Sequence, residues 1–158
     1  MVTIVKNKLE KLFSKSLKAD NTIWGMKLHN NPLSHQNTPA DYILSYENGD
    51  IPLKLTLVEC KQVTCKNGKG RLAFKRLKQM HDLIAFENYT PSHNSYFCIA
   101  YYDKRWDKSE VYIIPVRIMK ALIDNHNYVS LNREDALTKL KHFKINIEKG
   151  VLDLWAMK

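Results

Sequence analysis

Apolar residues recur at every second position through Leu53, Leu55 and Leu57, and the same alternation carries on to Glu59 and Lys61. Side chains two apart in a strand point the same way, so the stretch from Leu53 to Gln62 predicts a strand whose apolar face ends in a carboxylate and an amine. A second strand is predicted from Ala40 to Tyr46, with Asp41, Ile43 and Ser45 sharing a face. The intervening Asn48-Gly49-Asp50 turn signal implies that the two strands are antiparallel neighbours. Thr3 to Leu17 reads as an amphipathic helix with Val5, Leu9, Leu12 and Ser16 along one stripe. Glu10 lies beside Phe13 and Leu17 on that wheel, at the edge of the apolar face. Asp20 to Gln36, with Asn30-Asn31-Pro32, reads as irregular.

Beyond the two strands, Cys65-Lys66-Asn67-Gly68-Lys69-Gly70 predicts a flexible basic loop, without the spacing of a Walker loop. Arg71 to Glu87 predicts a helix with Phe74, Leu77, His81 and Ile84 near one face and Gln79 on another. Ser95 to Tyr102 and Glu110 to Pro115 read as strands joined by the charged segment Asp103 to Lys108. Val116 to Asp124 predicts a helix, Asn132 caps another with Asp135 three residues on, and Ile145 to Trp155 is strand-like. Tyr96, Tyr101, Tyr102 and Trp106 offer rings for stacking on unpaired bases, but strand positions of this kind are more often core.

Composition narrows the class. A chain of 158 residues with 44% hydrophobic content builds one domain with a sizeable core, and no repeat or linker divides it. No stretch is long and apolar enough for a membrane span, and Lys6, Lys8, Glu10 and Lys11 interrupt any N-terminal signal pattern. Cys60, Cys65 and Cys98 form no disulfide framework, which fits an intracellular, reduced protein. Twenty-five basic against sixteen acidic residues give a net charge of +9. Lys61, Lys66, Lys69, Arg71, Lys75, Arg76 and Lys78 concentrate that charge just after the Glu59–Lys61 pair, as a polyanionic substrate requires.

The chemistry follows from where the carboxylates fall. If the two strands are antiparallel, Asp41 at the start of one lies close to Glu59 near the end of the other. Two converging carboxylates beside Lys61 can hold a divalent cation and activate water. The six scattered histidines and the cysteines lack zinc-ligand spacing, so a hard oxygen site for Mg²⁺, with Mn²⁺ able to substitute, is the better expectation.

Thr38-Pro39-Ala40-Asp41 followed by Val58-Glu59-Cys60-Lys61-Gln62 resembles the signature of the PD-(D/E)XK nuclease superfamily, nearest to Holliday junction resolvases of the archaeal and RecU-like type. The resemblance covers approximately Lys6 to Pro115. Ala40 separates Pro39 from Asp41, so the eponymous Pro-Asp pair is not literal. The resemblance implies a single-domain, restriction-endonuclease-like α/β fold over residues 1–158, with a central mixed β-sheet flanked by helices and a core in 1–115. It implies metal ligation by Asp41, Glu59 and the Cys60 carbonyl, with Glu10 as a further candidate that is otherwise a solvated helix carboxylate. Lys61 would sit beside the attacking water, and Gln79 would reach the site if its helix face covers the sheet. Lys66, Lys69, Arg71, Lys75 and Arg76 would contact DNA. The implied activity is Mg²⁺-dependent, paired cleavage of four-way DNA junctions by a homodimer. A restriction or repair endonuclease and a non-catalytic nucleic-acid-binding protein are the alternatives.

Overall fold

In the computed structural model, residues 8–29, 40–46, 55–89, 91–125 and 129–154 are described. The elements in chain order are α1 (Lys8–Ala19), β1 (Ile23–Lys27), β2 (Tyr42–Tyr46), β3 (Leu55–Thr64), β4 (Arg71–Ala73), α2 (Met80–Tyr89), β5 (His93–Asp103), β6 (Arg105–Pro115), α3 (Val116–Asp124), β7 (Ser130–Asn132), α4 (Arg133–Lys139), β8 (Lys144–Ile145), β9 (Ile147–Glu148) and β10 (Val151–Leu152). Val5, the Asn30-Asn31-Pro32 and Thr38-Pro39 segments, the Asn48-Gly49-Asp50 turn, Leu53 and Trp155 lie outside the described residues.

Six strands form one sheet in the order β1-β2-β3-β5-β6-β8. β3 and β5 run parallel, in register from Leu55 opposite His93 to Thr64 opposite Tyr102. Every other pairing in the sheet is antiparallel, including β2 against β3 as the alternation predicts. A parallel pair needs a crossover and cover on both faces. The crossover runs through β4 and α2, and two apolar layers supply the cover. Leu9, Phe13, Tyr42, Leu44, Val58 and Cys98 pack on the side of α1. Leu57, Leu72, Leu83, Phe97, Ile99 and Met119 pack on the side of α2 and α3. The sheet is thus mixed and flanked by helices, as expected. No helix among the described residues is long and apolar enough to cross a membrane.

α1 closes its layer at short range. A Cβ on Gly25 of β1 would stand 2.6 Å from Leu44 Cδ2 and 2.9 Å from Leu17 Cδ2, so the helix can approach only a residue without a side chain. Buried Ser16 donates to the Leu12 carbonyl at 2.7 Å and accepts from Leu152 N–H at 2.8 Å, which ties the C-terminal β9–β10 hairpin to the helix.

Four expectations need correction. Residues 20–36 are not wholly irregular, since Ile23–Lys27 forms edge strand β1. Arg71 does not open a helix: Arg71–Ala73 pairs antiparallel with β7, a 3-10 turn follows at Phe74–Arg76, and α2 begins at Met80. Buried Leu72 is fixed opposite Leu131, a partner about sixty residues away that local periodicity cannot reveal. The loop at Cys65–Gly70 is a closed turn rather than a flexible one. Lys66 and Lys69 exchange N–H···O bonds of 2.8 and 3.0 Å, with Asn67 and Gly68 at φ 53° and 74° as a two-residue hairpin of type I′ requires. Finally, the Asp103–Lys108 segment is strand on both sides of Lys104, because β5 and β6 extend to a tight hairpin there.

One side chain locks this corner. Arg133, the first residue of α4, donates to Glu110 through Nε (2.7 Å) and Nη2 (2.6 Å) and to Asp103 through Nη1 (2.8 Å). It also donates to the carbonyls of Gly68 (3.1 Å) and Lys108 (2.5 Å). Glu110 is 7% exposed, so it depends on this partner. Arg133→Ala is expected to destabilise the protein by about 3 kcal/mol, because a buried carboxylate loses its counter-charge. Chemical denaturation of the variant checks this, and Arg133→Ala/Glu110→Gln should recover part of the loss.

Candidate metal centre

β2 stops short of the sequence that β3 offers it. The last paired residues are Tyr42 and Val58, after which the chain bends at Asp41. Asp41 N–H donates to the Val58 carbonyl at 3.0 Å, and the Asp41 carbonyl accepts from Leu28 N–H at 2.7 Å. The backbone of Asp41 is therefore gripped from both neighbouring strands. Its Oδ2 accepts from Cys60 N–H at 2.8 Å, filling the ladder position that β2 would otherwise occupy. Amide and carbonyl of one strand residue point to the same edge, so the Cys60 carbonyl also leaves β3 on the Asp41 side.

Glu59 and Lys61 project from β3 on the face that carries Leu57 and Val63, towards α2 and α3. Glu59 is 4% exposed, and its Oε1 lies 2.9 Å from Lys61 Nζ. The Glu59 and Asp41 carboxyl groups stand within interaction range of one another. Burial, followed by the charge of Asp41, pushes the Glu59 carboxyl from its ordinary value near 4.5 up to about 7, against the pull of Lys61. Asp41 is also raised, by burial first and by the charge of Glu10, while the Cys60 N–H works in the opposite direction. Two carboxyls so placed favour sharing a proton over ionising together.

The donor set suits a hard divalent cation. The candidate donors, the Asp41 and Glu59 carboxylates and the Cys60 carbonyl, are all oxygens, the set that such a cation takes. The Cys60 thiol is not among them, since it sits in the α1-side layer beside Cys98 and burial pushes it well up. Among the described residues, no group of three His, Cys, Asp or Glu side chains gathers closely enough to hold a metal. Glu10 stands within the electrostatic reach of Asp41, but its Oε2 is 2.6 Å from Lys27 Nζ. That ion pair raises the Lys27 ammonium.

Gln79 lies in the turn before α2, where its carbonyl accepts Leu83 N–H at 2.9 Å. Its Oε1 is buried without a hydrogen-bond partner. Lys66, Lys69, Arg71, Lys75 and Arg76 are all exposed, and Arg76 donates to the Gln62 carbonyl at 3.0 Å. The strand aromatics are structural. Tyr101 is fully buried and donates to the Leu131 carbonyl, while Tyr102 donates to the Lys104 carbonyl and packs against Trp106.

Sequence reasoning missed several residues. Lys27 escaped because its strand was read as irregular. Gln62 caps α1 by accepting Leu9 N–H at 2.9 Å, a contact across the fold without a local signal. Trp24 and Met26, 58% and 50% exposed, sit on β1 opposite Ser45 and Ile43, on the same side of the sheet as Glu59.

No family model matches the chain, and no curated protein matches it. Among solved structures it is similar to the 1.6 Å structure of Hjc from Archaeoglobus fulgidus, a Holliday junction resolvase from an archaeal hyperthermophile. The identity is 13%, the alignment covers 78% of each chain, and the TM-score is 0.42.

The carboxyl pair makes stability fall with pH. The folded protein keeps the Glu59 proton that the unfolded chain releases near 4.5, so the benefit is complete below that value and is lost as pH rises through about 7. In chelator, Glu59→Gln is expected to gain on the wild type by on the order of 2 kcal/mol between pH 5 and pH 8. Parallel thermal-unfolding curves for the two proteins across that range would show that the carboxylates do not share a proton.

Proposed function

We propose that this protein is a metal-dependent endodeoxyribonuclease that resolves four-way DNA junctions by paired phosphodiester cleavage. The observation that carries the reading is Asp41 held on the Cys60 N–H at the open end of β2, beside a buried Glu59 whose Oε1 lies 2.9 Å from Lys61 Nζ. Asp41, Glu59 and the Cys60 carbonyl would hold Mg²⁺ or Mn²⁺. Such a cation polarises a scissile phosphate and lowers the pKa of bound water.

The chain's own groups have distinct tasks. The Cys60 N–H orients Asp41, and the paired backbone of Asp41 keeps it from swinging away. Glu59 would have to give up a proton to ligate a cation, so metal affinity should weaken as pH falls below about 7. Lys61 would orient water and offset charge building on the phosphate. The exposed cations from Lys66 to Arg76 supply non-specific attraction to the backbone. A junction has approximate twofold symmetry and needs two opposed cuts, whereas one chain offers one centre. Two symmetry-related subunits are the economical solution.

Asp41→Asn and Glu59→Gln are each expected to reduce Mg²⁺-dependent cleavage by about a thousandfold or more while DNA binding persists. Lys61→Ala should slow single-turnover cleavage without weakening metal binding. Cleavage near the wild-type rate in either carboxylate variant, over a range of Mg²⁺, would remove the assignment.

Substrate choice is decided by a panel of linear, flap and four-way DNAs, read together with light scattering of the free protein. The expected result is a dimer that places both nicks in one bound junction. A monomer cutting linear duplex equally well would leave a general nuclease. Metal-independent binding without any cleavage would leave a DNA-binding protein.

A further inference from the structure

A groove of about 950 Å³ opens between the Lys66–Lys69 turn, the start of β6 and α4. Its walls carry Lys69, Arg71, Lys108, Lys144 and Arg133, with Glu134 among the acids. The charge balance in this groove is uneven for a structural reason. Glu110 is consumed by Arg133, and Asp107 is paired with Arg105, which lies outside the groove. Lys69, Arg71, Lys108 and Lys144 are exposed and have no ion-pair partner among the described residues. Four solvated cations face one concave surface, opposed by Glu134 and by the one negative charge left where Arg133 meets Glu110 and Asp103, so the wall stays net positive. Such a surface focuses positive potential on whatever enters it.

Arg133 gives this surface a fixed shape. By donating to the Gly68 carbonyl, the Lys108 carbonyl, Asp103 and Glu110, it fastens the turn, the hairpin and α4 to each other. Lys69, Lys108 and the first turn of α4 are therefore held at set spacings. Preorganised cations lose little freedom when an anion arrives.

The groove is separate from the carboxylates but belongs to their side of the sheet. Leu72, Leu131 and Ala136, which underlie it, are part of the same apolar layer as Leu57 and Phe97. Glu59 lies opposite Phe97 and Glu110 opposite Tyr101, so the groove wall is four residues along and two strands across from Glu59. Strand geometry makes that separation on the order of 15–20 Å. Measured along the axis of a DNA duplex it corresponds to about five base-pair steps.

We propose that this groove holds the phosphodiester backbone of duplex DNA on the order of 15–20 Å from the phosphate at the carboxylates, with Lys108 and Lys144 as contacts. The proposal rests on the nuclease reading for the identity of the polyanion. It adds a second anchor, so that the duplex arm is fixed in direction as well as position. The groove reads no bases and favours no sequence.

The test uses binding alone, in chelator, so that it does not depend on cleavage. Fluorescence anisotropy with a labelled duplex of about 25 base pairs, long enough to span both sites, would compare three proteins over a salt series. These are the wild type, Lys108→Gln/Lys144→Gln, and a control with the same charge loss on α1, Lys15→Gln/Lys18→Gln. The groove variant is expected to bind about tenfold more weakly at moderate salt, with the slope of log affinity on log salt reduced by about two, while the control stays near wild type. The substituted lysines are exposed, and unchanged thermal unfolding would establish that the fold is intact. Equal losses in both variants, or none in the groove variant, would overturn the proposal and leave the nuclease reading standing. A wild type that binds no DNA would remove both.

Discussion

The parallel pairing of β3 with β5 is the constraint on which the rest of this structure depends. Parallel strands cannot leave one face to water, so the pair has to be covered on both sides. The sequence meets that demand with two apolar layers that alternate residue by residue along each strand. Val58 and Cys60 feed the α1 side, while Leu57 and Val63 feed the α2 and α3 side. The crossover joining the strands brings β4 and α2 over the second face. Glu59 is caught within this scheme, because its position in the alternation sends a carboxylate into the covered layer.

That placement carries a standing electrostatic cost. Glu59 is buried beside Asp41, and a single lysine only partly offsets two negative charges. Holding one proton relieves the repulsion, and so would a divalent cation. A cation would also match the geometry, since the Cys60 amide fixes Asp41 and the neighbouring carbonyl faces the same edge. A core residue chosen for stability at this point would be apolar. The metal chemistry proposed for this chain would account for two carboxyls at this point.

Charge is managed differently at the opposite end of β3. Arg133 pairs with both Asp103 and Glu110, offsetting one of their two negative charges, and fastens three segments together. With those acids occupied, the lysines around them keep their full charge. One ion-pair network both stabilises a corner of the fold and sets the sign of the surface beside it. The two effects arise from the same bonds.

Much of this was legible in the residues themselves. Period-two alternation marked β2 and β3, and the Asn48-Gly49-Asp50 turn signal made them antiparallel neighbours, which brings Asp41 to Glu59. Asn132 declared itself as the cap of α4, which its 2.7 Å bond to Asp135 N–H bears out. The basic run after Lys61 was equally visible, whereas the mixed sheet with flanking helices followed from the resemblance carried by the Asp41 and Glu59–Lys61 motifs. What local pattern could not supply were contacts between residues far apart in sequence. Leu72 became strand rather than helix because Leu131 pairs with it. Gln62 serves α1, and Lys27 takes Glu10 into an ion pair. The number of protons on the Asp41–Glu59 pair was likewise undecided by sequence, since it depends on burial and on separations of a few ångströms. Sequence by itself determined which residues alternate, cap and carry charge, because those properties are local. Tertiary structure decided which charges meet and which remain unpaired, because that follows from strands and helices brought together by the closing of two cores.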